Sequence, residues 1–143
     1  MDSESFAADR EAVIQTALSE LRGIINPGTD MVTSALALNY ARTYENIYAG
    51  VGFHPHDAIK MTAADRYTLA EWAEDPKTIA IGEIGLDYYY DYSPREVQKK
   101  VFVEQLDLAR QLHLPVIIHN RDAHGDIMEI IKTEGRGIAG VFH

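Results

Sequence analysis

Three apolar segments of this sequence each end on a side chain that binds divalent metals. Glu83 ends the run IAIGE, His119 ends PVIIH and His143 ends AGVFH. Short apolar runs bounded by turn residues predict buried strands. In barrels of alternating strands and helices, the carboxyl ends of the strands meet on the face that carries the chemistry. We therefore expect the three side chains to converge on one metal site.

Each of these residues alone also has a purely structural interpretation. Glu83 would be solvated or paired with a lysine, His119 would be a structural histidine, and His143 would belong to a frayed terminus or a tag. Three successive strand ends favour the metal interpretation. The chain has no cysteine, so a metal would bind to oxygen and imidazole, which suits Mg²⁺, Mn²⁺ or Zn²⁺.

His54 lies in the segment His-Pro-His-Asp after another apolar run, at 47–53. A His-x-His pair at a strand end can bind metal, but the intervening proline weakens that interpretation. We interpret His54 as a rim residue that contacts the substrate, with His56 and Asp57 closing the loop.

Arg121 follows His119 by two residues and is predicted to contact an anionic group of the substrate. The structural alternative is a surface ion pair with Asp122 or Asp126. Four tyrosines lie just beyond Glu83 and would either stack on nucleobases or pack the loop. They are Tyr88, Tyr89, Tyr90 and Tyr92.

Helical and strand-like patterns alternate five times along the chain. Helices are predicted near 5–22, 31–44, 62–74, 94–113 and 124–134. Strands are predicted at 23–28, 47–53, 78–84, 115–119 and 139–143. Such alternation predicts an α/β fold with a parallel sheet covered by helices. Five strands are too few to close an eight-stranded barrel, which takes about 250 residues.

Two local signals surround the strand at 78–84. Gly82 and Gly85 flank its glutamate, and glycine within a strand often marks close approach by a ligand or by backbone. Further on, Ser93 is predicted to cap a helix, Pro94 suits the first helical position, and Glu96 would close the capping box.

Composition excludes some functions and locations. The 143 residues carry a net charge of −9, which argues against a broad basic surface for nucleic acid. It does not argue against phosphate esters, because bound cations reverse the local field. No apolar run approaches the roughly 18 residues of a membrane span, and residues 1–6 do not resemble a signal peptide. We expect a cytoplasmic protein without membrane contact.

Several of these motifs together resemble the TatD-type metal-dependent deoxyribonucleases. They are IYAGVGFHPHDA, GEIGLDYYYDYSPREVQ, LPVIIHNRDA and GVFH, so the resemblance covers nearly the whole chain. It implies an eight-stranded barrel of the metal-dependent hydrolase superfamily that hydrolyses DNA phosphodiester bonds with two divalent ions. By this resemblance Glu83 bridges both ions, His119 and His143 each bind metal, and His54 lies near the substrate phosphate.

The resemblance places the chain at the second to sixth strands of eight, as a partial TIM-type barrel and an incomplete single catalytic domain over 1–143. The family's His-x-His metal pair and its late aspartate, a ligand and catalytic group, have no counterpart here. The catalytic residue therefore stays unknown, and we expect weak metal affinity and impaired activity.

Open sheet edges at 23–27 and 139–143 predict a homo-oligomer, a complementary fragment or poor stability. Two other functions stay open. One is a related barrel hydrolase of small esters or amides, and the other is a chain without catalysis.

Overall fold

The computed structural model describes residues 6–143, in which five strands alternate with five helices. The strands are β1 Ile24–Pro27, β2 Ile47–Val51, β3 Thr78–Asp87, β4 Val116–Arg121 and β5 Gly140–Phe142. The helices are α1 Arg10–Glu20, α2 Met31–Thr43, α3 Ala63–Ala73, α4 Arg95–Leu112 and α5 His124–Thr133, with a 3₁₀ helix at Pro55–Lys60. Each predicted helix and strand is present. The predicted start of the first helix, at residue 5, lies outside the described residues.

The five strands form one sheet in the order β1-β2-β3-β4-β5, and every neighbouring pair is parallel. The sheet curls into half of a barrel. The predicted α/β class and partial barrel are confirmed, with β1 and β5 at the edges of the described sheet. None of the described helices is long and apolar enough to cross a membrane.

Two hydrophobic clusters hold the helices to the sheet. The larger one joins α4 to β3 and β4 and includes the fully buried Phe102, Leu106 and Ile84. The smaller one joins α1 and α2 to β2 through Ile14 and Ile47. Burial of these apolar side chains fixes the strands against their covering helices.

Strand β3 is longer than predicted. The sequence placed its end at residue 84, but pairing with β4 continues through Gly85, Leu86 and Asp87, which lie opposite His119, Asn120 and Arg121. A strand end set by a neighbouring strand leaves no local signal. Because of this extension, Asp87 lies at the end of β3, close to the end of β4.

Helix α4 begins without the predicted cap. Pro94 occupies the N-cap position, and none of the described side chains caps the helix. Ser93 Oγ instead donates to the His56 carbonyl oxygen at 2.9 Å and accepts the Ile59 N–H at 3.1 Å. Glu96 contacts Lys99 at 3.2 Å. The predicted capping box is therefore wrong, because Ser93 binds the loop after β2.

Candidate active site

The carboxyl ends of β2, β3 and β4 bring metal-binding side chains together. One donor atom from each of His54, Glu83 and His119 lies within 4.8 Å of the other two. Glu83 and His54 are buried, and His119 is half-buried. The predicted convergence of the Glu83 and His119 strand ends is thus present in the structure.

Glu83 lies at the centre of this group. Its Oε1 accepts hydrogen bonds from Nδ1 of His119 at 3.1 Å and from Nδ1 of His143 at 3.2 Å. Two ligands on one zinc-like ion, with bonds of about 2.0–2.2 Å, lie roughly 3 Å apart. Burial acts to raise the pKa of Glu83, but the bonds from the two imidazoles lower it. The carboxylate is therefore ionised and spaced as a metal ligand would be.

His119 lies between two carboxylates. Its Nδ1 faces Glu83, and its Nε2 lies 2.9 Å from Asp87 Oδ2. Because an ionised carboxylate only accepts hydrogen bonds, both ring nitrogens carry protons in this arrangement. Burial acts to lower the pKa of His119, but its bonds to the two carboxylates raise it.

Asp87 is a site residue that the sequence analysis missed. It is fully buried, and its Oδ2 also lies 2.9 Å from His56 Nε2. Its Oδ1 accepts the backbone N–H groups of Tyr89 and Tyr90. Burial acts to raise the pKa of Asp87, but hydrogen bonds from Tyr90, His119 and His56 lower it to about 2. His56 was predicted to close the loop after β2. In the structure its ring binds Asp87.

His54 presents a hydrogen-bond donor to the site. Its Nδ1 accepts the backbone N–H of His56 at 3.1 Å. Burial, helped by the neighbouring His119, lowers the pKa of His54 to about 4, so the ring is neutral at pH 7. With Nδ1 accepting, the single ring proton is on Nε2. An Nε2–H group suits a phosphate oxygen better than a metal ion.

His143 lies at the edge of this arrangement. It reaches Glu83, and its backbone N–H donates to the Ile118 carbonyl oxygen at 2.9 Å. Its side chain is 67% exposed. His143 therefore contacts the predicted bridging glutamate but stays outside the compact group of three.

In the described part of the chain, Arg121 forms no ion pair with Asp122 or Asp126, which was its structural alternative. Among residues 6–143, Asp126 instead pairs with Lys99 at 2.8 Å and accepts the Tyr88 hydroxyl at 2.6 Å. The Arg121 guanidinium stacks on two other tyrosines, with Cζ 4.0 Å from the ring centroid of Tyr89 and 4.9 Å from that of Tyr90. Its N–H donors therefore remain available for an anion.

Two glutamines of α4 hold the strand ends that carry the site. Gln105 accepts the Phe53 N–H at 2.7 Å and donates to the Phe53 carbonyl oxygen at 3.0 Å. Gln98 binds the N–H and carbonyl of Asp87 in the same way, at 2.8 and 3.1 Å. Both side chains are buried, and their seven-residue spacing puts them on one helical face. They fix the backbone at Asp87 and next to His54.

The two glycines around Glu83 allow β3 and β4 to approach each other. A Cβ at Gly82 would lie 2.7 Å from the Ile117 side chain. At Gly85, φ is +139° and a Cβ would lie 2.0 Å from the His119 carbonyl oxygen. The close approach predicted at these glycines is present. The groups that approach them belong to the backbone and side chains of β4.

The family described as TatD related DNase matches residues 1–143. The chain is 42% identical over 145 residues to "Uncharacterized metal-dependent hydrolase YabD" of Bacillus subtilis (strain 168), covering 100% of this chain and 57% of that protein. It is 37% identical over 133 residues to "3'-5' ssDNA/RNA exonuclease TatD" of Escherichia coli (strain K12), covering 92% and 51%.

Two solved structures share the fold. The crystal structure of YJJV, a TatD homolog from Escherichia coli K12, matches with a TM-score of 0.89 and 34% identity, over 99% of this chain and 56% of that one. A TatD family hydrolase from Entamoeba histolytica matches with a TM-score of 0.82 and 28% identity, over 94% and 49%. The chain spans about half the length of the curated relatives it matches.

Proposed function

Because the chain belongs to the TatD related DNase family, we propose that it supplies part of a metal-dependent hydrolase that cleaves phosphodiester bonds of DNA. The observation that carries the proposal is the convergence of His54, Glu83 and His119 within 4.8 Å of one another at the carboxyl ends of barrel strands. This face of such barrels carries the chemistry in characterised enzymes. The name of the Escherichia coli relative, an exonuclease of single-stranded DNA and RNA, supports a nucleic-acid substrate.

Glu83, His119 and His143 are the proposed metal ligands. Glu83 Oε1 faces both imidazoles, which fits a carboxylate shared by two divalent ions. Mg²⁺, Mn²⁺ and Zn²⁺ all accept this combination of oxygen and imidazole. When bound, such ions lower the pKa of a water molecule and stabilise negative charge on a phosphate.

His54 and Arg121 are the proposed substrate contacts. The Nε2–H of neutral His54 would donate to an oxygen of the scissile phosphate. The Arg121 guanidinium, which has no carboxylate partner among the described residues, would pair with a neighbouring phosphate. Neither residue is proposed to accept a proton from water. We assign that role to none of the described residues.

Isothermal titration calorimetry with Mn²⁺ and Zn²⁺ tests the ligand assignment on the 143-residue chain. We expect weak binding that is lost in Glu83→Gln and in His119→Ala. Glu71→Gln, on the exposed surface of α3, is the matched control and should bind as the parent chain does. Unchanged binding in both site variants would overturn the metal site.

Activity is tested with a labelled single-stranded DNA and with p-nitrophenyl acetate, each with Mn²⁺ and with EDTA. We expect slow, metal-dependent cleavage of DNA and no ester hydrolysis. Metal-dependent hydrolysis of the acetate alone would indicate a small-ester hydrolase. Absence of both metal binding and hydrolysis would indicate a chain without catalysis.

A further inference from the structure

Three tyrosines after β3 expose their rings beside the candidate active site. Tyr89, Tyr90 and Tyr92, which we call the tyrosine platform, are 58%, 44% and 65% exposed. Tyr88 is different, because it is half-buried, its hydroxyl donates to Asp126, and Arg95 packs on its ring at 4.3 Å. Tyr88 therefore packs the loop. Packing of the loop does not explain why the other three rings are exposed.

The platform is an ordered stack. The rings of Tyr90 and Tyr92 are nearly parallel, with centroids 5.2 Å apart and an angle of 20°. Tyr89 meets Tyr90 edge to face at 4.8 Å. The Arg121 guanidinium lies over Tyr89 and Tyr90. Among the described residues, Tyr92 has one ring packed parallel to it, and 65% of its surface is exposed.

His56 connects the platform to the active site. Its ring contacts Tyr92 at 4.8 Å and Tyr90 at 5.3 Å between centroids, both nearly perpendicular. Its Nε2 binds Asp87, the buried carboxylate that also holds His119. Two residues, His56 and Asp87, therefore connect the platform to His119, a proposed metal ligand. A nucleotide next to the phosphate in the site would reach the platform.

We propose that the tyrosine platform stacks unpaired nucleobases of a single-stranded nucleic acid, with Arg121 binding the adjoining phosphate. This inference rests on the proposed function for its substrate. Aromatic rings bind every base by its π-face, whereas the bases of a duplex are already stacked on each other and unavailable. A chain of net charge −9 cannot rely on general attraction of the backbone. Without bound cations, we therefore expect stacking to supply the larger part of the affinity.

Fluorescence anisotropy of a labelled ten-nucleotide oligo(dT), measured in EDTA so that no cleavage occurs, tests the proposal. We expect Tyr92→Ala and Tyr90→Ala each to weaken binding about tenfold or more. Tyr92→Phe keeps the ring and should bind as the parent chain does. Tyr67→Ala removes a 72% exposed ring on α3 and is the matched control. An abasic strand of equal length should bind as weakly as the alanine variants, and a blunt duplex should not compete.

The outcomes separate this inference from the proposed function. Equal binding by the parent chain and both alanine variants, equal binding of the abasic strand, or no binding of any strand would overturn the platform. If metal-dependent DNA cleavage is nevertheless observed, the proposed function stands. Ring-dependent binding without any metal-dependent cleavage would keep the platform and overturn the proposed function. Circular dichroism of the exposed-ring variants checks that they remain folded.

Discussion

At the scale of single residues, Asp87 connects His56 of the 3₁₀ helix to His119 of β4. Its carboxylate lies within hydrogen-bond distance of His56 and His119, and it also binds two backbone N–H groups. A carboxylate on the far nitrogen of a ligating histidine fixes the ring orientation and strengthens the ligand. His119 would have this arrangement if its Nδ1 lost its proton and bound a metal while Nε2 still donated to Asp87. We therefore propose Asp87 as a positioning residue for the proposed metal site.

Asp87→Asn tests this positioning role. The amide keeps the size of the side chain but offers one acceptor atom in place of two, so it cannot hold both imidazoles and both backbone N–H groups. We expect Mn²⁺ affinity to fall by about 10- to 100-fold, measured by calorimetry. Asp91→Asn, at an exposed position paired with Arg95, should leave the affinity unchanged. Equal affinities for both variants would contradict the role of Asp87.

The site residues differ in how well the sequence alone predicts them. Glu83 and His119 follow apolar runs, so their meeting could be predicted from the rule that parallel strands end on one face. The position of Asp87 in the site could not be predicted in this way. Gly82 and Gly85 before it resemble a strand end, and the extra pairing of β3 is supplied by β4. The neutral state of His54 also depends on burial and on the N–H of His56, neither of which is a local property.

At the scale of elements, glycine residues allow β3 and β4 to lie close together. Gly85 adopts a φ of +139°, which side chains rarely tolerate, and it faces the His119 carbonyl at a distance that leaves no room for Cβ. The sequence indicated a close approach here, but it did not reveal which element approaches. That information lies in the pairing of β3 with β4.

Gly85→Ala is expected to lower the free energy of unfolding by about 2 kcal/mol or more. The strained φ alone costs about 1–3 kcal/mol for a residue with Cβ, and the clash with His119 adds to it. Gly125→Ala, in the first turn of α5, is the matched control, because its Cβ would meet no atom of residues 6–143 within 4 Å. It should be neutral or slightly stabilising. Urea denaturation compares the two, and equal stabilities would contradict the geometry of β3.

Helix α4 positions the site through polar contacts as well as through its apolar face. The apolar period predicted the helix correctly, yet Gln98 and Gln105 gave no signal, because a glutamine in a helix is ordinarily solvated. Their function depends on which strand ends the helix crosses. Each one satisfies both backbone groups of a buried residue, which would otherwise be unpaired.

Gln105→Met should lower the free energy of unfolding by about 2–6 kcal/mol. Methionine fills similar space but leaves the N–H and carbonyl of Phe53 buried and unpaired, at about 1–3 kcal/mol each. Gln111→Met, at an exposed position on the same helix, should change stability by no more than about 0.5 kcal/mol. Thermal and urea unfolding give the difference. A loss in Gln105→Met no larger than in the control would show that water replaces the glutamine.

At the scale of the whole molecule, the two edges of the sheet are the features that bear on association with other chains. The alternation of helices and strands was sufficient to predict a parallel half-barrel, since that inference needs only the order of elements. How the two edges are covered depends on long-range association and cannot be predicted from such a pattern. In the described sheet, Ile25 of β1 and Val141 and Phe142 of β5 are about half exposed. Unpaired backbone groups next to apolar side chains favour pairing with another chain.

We therefore predict that the 143-residue polypeptide self-associates through β1 and β5 as its concentration rises. Light scattering coupled to gel filtration should show the mass increasing with loading. Ile25→Lys and Val141→Lys each place a charge on one edge, which opposes strand pairing, and should shift the chain toward monomer. Ile59→Lys introduces the same charge at an exposed isoleucine of the 3₁₀ helix and should not. A monomer at every concentration would contradict edge pairing and show that the open sheet is stable by itself. Equal masses for the edge and control variants would also contradict edge pairing.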